Sequence, residues 1–173
     1  MLYLDKYKGT DREQFEQRVR EVAVNLGVNP DWLMCVFYLE SNVNSAAVNS
    51  TTGATGLIQF MPATAKNLGT TTTALAAMSG TEQMQYVYNY LKPYAGRLSS
   101  LVDCYFAVFF PAAIGKDDNW VLKTSKLSAA IIAKQNSGYD LDHNGELTVG
   151  EVRSAICRRL GIEEKTDGTI KKK

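Results

Sequence analysis

One histidine, three cysteines and four prolines among 173 residues remove several chemistries at once. A Cys–His nucleophile pair needs its two members together, and the lone His143 sits in an acidic stretch unrelated to Cys35, Cys104 or Cys157. An odd set of widely spaced cysteines gives no disulfide framework, so reduced, inert thiols are expected. Charge of one sign is lacking as well. Nineteen basic against 18 acidic residues leave a net charge of +1, which offers no electrostatic reason to expect nucleic acid or an anionic membrane as the main partner. The longest apolar run, 104–115, is too short to cross a bilayer and reads as a core helix, so no membrane insertion is expected. Met1-Leu2-Tyr3-Leu4-Asp5-Lys6 has no basic segment leading into an apolar one, so no secretion signal is expected at this end.

What is present is an ordinary globular profile, 45% hydrophobic and 21% charged, with length for a sizeable core; one domain over 1–173 is expected. The patterning is helical almost throughout, and an all-α fold follows. Thr10 and Glu13 are spaced as a capping box before Phe15, Val19, Val22 and Leu26, with Gly27 as the stop. Asn29-Pro30 opens an apolar helix that runs to Glu40. Pro62 opens a short one, the threonines 70–73 mark a loop, and Ser79 and Glu82 form another capping box ahead of Met84, Val87 and Leu91. A helix from Ser99-Ser100 to Pro111, short ones near Trp120 and over 127–133, and a last one from Thr148 to Gly161 complete the reading. No segment alternates with a strand's period of two, and 162–173 is expected to trail off as a flexible tail.

Two segments carry chemistry. The first begins at Glu40, which closes the apolar stretch Trp32-Leu33-Met34-Cys35-Val36-Phe37-Tyr38-Leu39. A carboxylate at the edge of such a helix is expected to have its ionised form disfavoured by desolvation. An acid still protonated near neutral pH is what cleavage of a glycosidic bond requires. An ordinary solvated helix-end acid is the competing reading on position alone. Downstream, Gly53 and Gly56 permit turns and close backbone approach, and Gln59 offers a donor and acceptors suited to the amide and hydroxyl groups of an amino sugar.

Taken together, Glu40-Ser41, then Gly53-Ala54-Thr55-Gly56-Leu57-Ile58-Gln59-Phe60-Met61-Pro62, then Thr64-Ala65 resemble the family 1, soluble-lytic-transglycosylase-like enzymes of the lysozyme-like superfamily. The resemblance implies a lysozyme-like (goose-type, transglycosylase-like) all-α domain acting on peptidoglycan glycan strands. It makes Glu40 the acid that protonates the oxygen between N-acetylmuramic acid and N-acetylglucosamine, and then the base that deprotonates the muramic 6-hydroxyl as it closes to a 1,6-anhydro product. Ser41, Gly56, Gln59 and Met61 would line the groove. Many members carry a later Ala-Tyr-Asn-Ala-Gly segment; this chain has Asp103-Cys104-Tyr105-Phe106-Ala107 in the comparable stretch. Tyr105 either takes over the tyrosine's contact with the sugar or is a core aromatic, and Asp103 either serves as a second carboxylate or caps its helix.

The second segment, Asp140-Leu141-Asp142-His143-Asn144-Gly145-Glu146-Leu147-Thr148-Val149-Gly150-Glu151, fits the EF-hand calcium-loop template. Asp140, Asp142, Asn144 and Glu151 would offer side-chain oxygens, Glu146 its backbone carbonyl and Thr148 a direct or water-mediated contact, with Leu147 packed inward. A single, unpaired calcium loop acting as a structural brace is expected; an acidic turn without metal is the alternative. Some phage-type transglycosylase domains that this chain resembles carry a similar terminal loop, and the compact single domain with no visible secretion signal makes a phage enzyme, virion-borne or a lysin, the expected source. Such an enzyme acts on the bacterial wall after residence in the virion or host cytoplasm, with other virion proteins as partners. A hydrolytic lysozyme on the same framework and a non-catalytic calcium-binding virion protein are the remaining readings.

Overall fold

The computed structural model describes residues 1–165 and 168–173. It contains eight α-helices among the described residues and divides into two compact units, Met1–Gly96 and Arg97–Lys173.

The first unit is built on α1 (Arg12–Leu26), α2 (Pro30–Ser41) and α5 (Gly80–Leu91), with the short α3 (Pro62–Asn67) and α4 (Thr72–Ala77) between the last two. Phe15, Val19, Val22, Ala23 and Leu26 put one stripe of α1 inside. α2 is different: Trp32, Leu33, Met34, Cys35, Val36, Phe37 and Leu39 are buried on every side, so it is the central helix and shows no amphipathic pattern. Each of its large side chains taken fully out of water contributes about 1.5–3 kcal/mol. Asn29 caps it as its sequence foretold, with Oδ1 accepting from Asp31 N at 2.9 Å.

The capping box expected at Thr10 and Glu13 does not form. The N-cap is Asp11, whose Oδ1 accepts from Tyr7 Oη at 2.6 Å instead of capping α1. Tyr7 Oη in turn accepts from Gly80 N at 2.8 Å, so one buried phenol ties the first turns of α1 and α5. Its ring explains Gly80: a β-carbon there would lie 2.6 Å from Tyr7 Cε2. The box at Ser79 and Glu82 does form, with both reciprocal bonds. Threonines 72 and 73, expected in a loop, begin α4 because the Thr71 hydroxyl accepts from Ala74 N at 3.0 Å.

In the second unit α6 (Leu101–Phe109), α7 (Ala129–Gln135) and α8 (Val149–Leu160) are followed by strands β1 (Ile162–Glu164) and β2 (Ile170–Lys172). These strands correct the reading of a strandless chain with a flexible tail. They pair antiparallel, Ile162 opposite Lys172, Glu163 opposite Lys171 and Glu164 opposite Ile170, so opposite charges face each other across the pair. Thr166 and Asp167 lie outside the described residues. Glu164 also reaches α6, its Oε1 accepting from Leu101 N at 2.7 Å while Arg153 Nη1 of α8 holds Oε2 at 3.2 Å. Trp120 and Leu122 belong to no helix; Val121 bridges to Thr148 in antiparallel fashion.

Burial works against the charge on Asp11, but the hydroxyl donors around it outweigh that cost and hold its carboxyl below the usual range. A depressed folded-state pKa contributes stability above the unfolded value that disappears as pH falls through the folded one. Melting temperature should therefore drop more steeply with acid in the wild type than in Asp11→Asn below about pH 4. Parallel acid limbs in thermal melts would exclude Asp11 as a source of acid sensitivity.

Candidate active site

Glu40 occupies the last turn of α2, half-buried at the rim of a helix that is otherwise core. The chain then turns sharply. Asn42 caps the helix at φ 54° and Val43 follows at φ 58°, a left-handed conformation costly for a β-branched residue. Val43 is fully buried and its N–H donates to Phe37 O at 3.1 Å, so packing and pairing hold it there. Such strain is kept only where the surroundings over-determine it, and it clusters at functional sites.

The residues 44–60 return as a tight, self-bonded loop. Asn49 N donates to Ala54 O at 2.8 Å, and Thr55 and Phe60 exchange both backbone bonds at 3.0 and 2.8 Å. Gly56 N donates to Ala47 O at 2.8 Å. Gly56 stands at φ +84°, and a β-carbon there would lie 2.5 Å from Gln83 Oε1, so glycine is required twice over. Gln59 is also left-handed, at φ 53°.

The expected groove residues separate into struts and presented groups. Ser41 Oγ donates toward Phe37 O at 3.0 Å and Leu57 O at 3.1 Å, and accepts from Asn44 N at 3.2 Å. Its hydroxyl thus ties the end of α2 to the loop. Gln59 directs Nε2 at Gly56 O and Ala47 O, at 3.1 and 3.3 Å, which fixes the orientation of its amide. Met61 is 46% exposed, an apolar surface beside that amide. Gly56 is buried and acts through the backbone.

A neighbour of Glu40 that sequence reasoning missed is Tyr90 on α5. Burial pushes its phenol up to about 12, with the nearby Tyr94 and Glu40 adding to the rise. A phenol is neutral at about pH 7 in any case, and burial moves Tyr90 further from ionisation. Its ring meets Phe60 edge-on with centroids 6.3 Å apart, so it also packs against the motif loop. The signal lay in the α5 stripe, where Tyr90 follows Gln83 and Val87 at helical spacing. A hollow along the outer face of α1, beside Gln17, Arg20 and Val24, contains none of the motif residues.

In the second unit, Tyr105 is only 4% exposed, hydrogen-bonded to Tyr139 Oη and stacked on Phe109 with centroids 5.4 Å apart. Asp103 is 5% exposed and heavily engaged. Its Oδ2 accepts from Ser99 N, Ser99 Oγ and Ser100 Oγ, and its Oδ1 from Gly115 N. That is the helix-capping reading of Asp103, with Ser100 Oγ accepting in return from Asp103 N at 3.1 Å.

In the acidic loop 140–151, carboxylate oxygens of Asp140, Asp142 and Glu151 lie within 4.8 Å of one another, and Leu147 is fully buried. Gly145 makes the bend at φ +82°. Asn144 N is accepted by both Asp140 Oδ1 and Asp142 Oδ1 at 3.1 Å, which draws the loop around its acids. The carboxylate of Glu146 does not join the converging group, which leaves its backbone carbonyl for the role expected of it. Glu151 does double duty, because its Oε2 accepts from Thr148 N and Oγ1 in a capping box that starts α8. Burial disfavours its charge, but these donors and Leu141 N outweigh that and hold its carboxyl below the usual range. The inner edge of the loop bonds to the segment before it: Leu122 N donates to Leu147 O at 2.7 Å, Val149 N to Trp120 O at 3.1 Å and Gly150 N to Asp118 O at 2.9 Å. The oxygen donors and the bend suit a hard divalent cation.

A half-buried acid at the end of a core helix, set against a rigid glycine loop that presents an amide, is the equipment of a lysozyme-like, glycan-cleaving enzyme. The chain belongs to the transglycosylase SLT domain family, which it matches over residues 17–106, more than half of its length. Membership makes it a lytic-transglycosylase-type enzyme directed at peptidoglycan. No curated protein matches the chain.

Tyr90→Phe keeps the ring against Phe60 and deletes only the hydroxyl. Activity on peptidoglycan should fall roughly two- to tenfold, the worth of one neutral polar group removed from beside the acid. Turnover equal to wild type in the same assay would remove Tyr90 from the chemistry of Glu40.

Proposed function

We propose that this chain cleaves the β-1,4 bond between N-acetylmuramic acid and N-acetylglucosamine with Glu40 as its single catalytic carboxyl. The observation that carries the reading is the placement of Glu40 on the rim of buried α2, beside Tyr90 and followed by the strained turn into the glycine loop. Glu40 gives its proton to the glycosidic oxygen as the bond to the anomeric carbon breaks. The carbonyl oxygen of the substrate's own N-acetyl group closes on that carbon and takes up the positive charge. Glu40, now a carboxylate, removes the proton of the muramic 6-hydroxyl as its oxygen displaces the acetamido oxygen. Both sugar products leave with the acid restored and no water consumed.

A second protein carboxylate is not needed in this scheme, and Asp103, with four donors around it, is poorly placed for one. Gln59 orients the acetamido and hydroxyl groups, Met61 offers an apolar contact, and Ser41 and Gly56 shape the groove from behind. The oxygen-rich loop holds calcium as a brace through Asp140, Asp142, Asn144, the Glu146 carbonyl, Thr148 and Glu151. Bound there, the ion supplies positive charge that the clustered acids otherwise lack. A phage enzyme, virion-borne or a lysin, is the source we favour, on the resemblance of this terminal loop to those of phage-type domains.

Digestion of purified peptidoglycan should release fragments ending in 1,6-anhydromuramic acid, lighter by one water than hydrolysis products in mass spectra. Glu40→Gln should abolish their release, and hydrated ends from the wild type would replace this mechanism by that of a lysozyme. Calcium at a hundredfold excess over Kd should add about 2.7 kcal/mol of stability to the wild type. Because Glu151 also caps α8, the clean comparison is Asp140→Asn with Asp142→Asn, which should lose the calcium-induced rise in melting temperature. An equal rise in that variant would refute the brace.

A further inference from the structure

The peptide group of Leu57 is gripped from both sides. Its N–H donates to Gln83 Oε1 at 2.9 Å, and its carbonyl accepts from Ser41 Oγ at 3.1 Å. Gln83 Nε2 places its two hydrogens on Ser45 O at 2.6 Å and Leu75 O at 2.7 Å. The side chain is completely buried, so these bonds form in a medium where leaving one unmade is costly. The partners also dictate which way the amide points. Turned over, its NH2 would meet the Leu57 N–H and its oxygen would meet two carbonyls.

A position so deep in a helical core ordinarily carries an aliphatic side chain. An amide is there because two points of the motif loop, Ser45 O and Leu57 N–H, and the Leu75 carbonyl in α4 converge on α5 and together call for two donors and an acceptor from one side chain. The steric fit agrees, since Gly56 leaves the space that Gln83 Oε1 occupies. From Gln83 the clamp passes through Leu57 to Ser41, the residue next to Glu40.

We propose that Gln83 is a positioning residue for the glycan-cleaving reaction: with Ser41 it clamps Leu57 and so sets where Gln59 and Met61 stand with respect to Glu40. This rests on the reading of Glu40 as the catalytic acid. Gln83 touches no substrate. It acts through a loop whose two presented groups lie two and four residues beyond the clamped peptide, and misplacement of such groups by a fraction of an ångström costs rate out of proportion to stability.

Gln83→Met retains the length and volume of the side chain while removing every polar partner. In the full-length variant, amide hydrogen exchange at Leu57 should quicken about tenfold or more, with the amides of α1 unchanged. At a temperature where circular dichroism shows it fully folded, kcat/KM on peptidoglycan should fall roughly ten- to a hundredfold. A merely structural role predicts instead activity lost in proportion to the unfolded fraction and recovered on cooling. Should Gln83→Met fail to fold, Ser41→Ala releases only the carbonyl side and should lower kcat/KM about two- to tenfold with faster exchange at Leu57. Unaltered Leu57 exchange, or kcat/KM within about twofold of wild type, would overturn the clamp. The Glu40 reading fails separately, by absence of cleavage in the wild type. Glycan binding to Glu40→Gln, with and without Gln83→Met, then still tests the clamp, whose loss should weaken binding about tenfold.

Discussion

The buried amide of Gln83 is the constraint on which the motif loop depends. A loop of this length inside a small helical unit leaves backbone donors and acceptors away from water, and each unmet one is expensive. Gln83 meets two of them, the Leu57 N–H and the Ser45 carbonyl, and reaches the Leu75 carbonyl of α4 with the same side chain. The consequences run outward. Position 56 must be glycine, the turn that follows must be tight, and Gln59 is carried into a left-handed conformation that its own amide helps to hold. On the other side, Ser41 extends the same bracing to the helix end that carries Glu40.

This bracing changes how the motif is understood. Ser41 sits beside the catalytic candidate and reads naturally as a sugar ligand, yet its hydroxyl is occupied with two carbonyls and an amide of its own chain. Conversely, Tyr90 belongs to no motif and would pass for an ordinary member of a helical stripe. Its phenol, pushed up by burial and by nearby Tyr94 and Glu40, is one of the groups beside Glu40. Rigid backing and presented chemistry are thus divided between residues that sequence proximity would have grouped together. Asp103 makes the same point in the second unit, where an acid with catalytic possibilities proves to be a capping residue holding Ser99, Ser100 and Gly115.

The acidic loop shows a comparable division. The structure pairs its inner edge with the segment containing Trp120 and Leu122, so that Leu147 is buried and Thr148 is fixed as the cap of α8. Glu151 then serves the helix and faces the converging acids at once.

Local rules made much of this chain legible. Helix starts at Asn29, Ser79, Ser100 and Thr148 follow from side chains that bond the backbone a few residues away, and the apolar stripes of α1 and α5 follow from helical spacing. The motif from Glu40 to Ala65 carried the family. Failures came where another partner outbid the expected one. Tyr7 drew Asp11 away from capping α1, and Thr148 drew Val121 out of a helix. The strands β1 and β2 escaped notice because three-residue segments have too little alternation to register. By itself the sequence determined the motif that carries the family and where most helices begin, because both are short-range properties of side chains. Only the tertiary structure decided which of the motif's residues brace and which present, because a hydrogen bond from residue 83 to residue 57 exists only once the chain has folded.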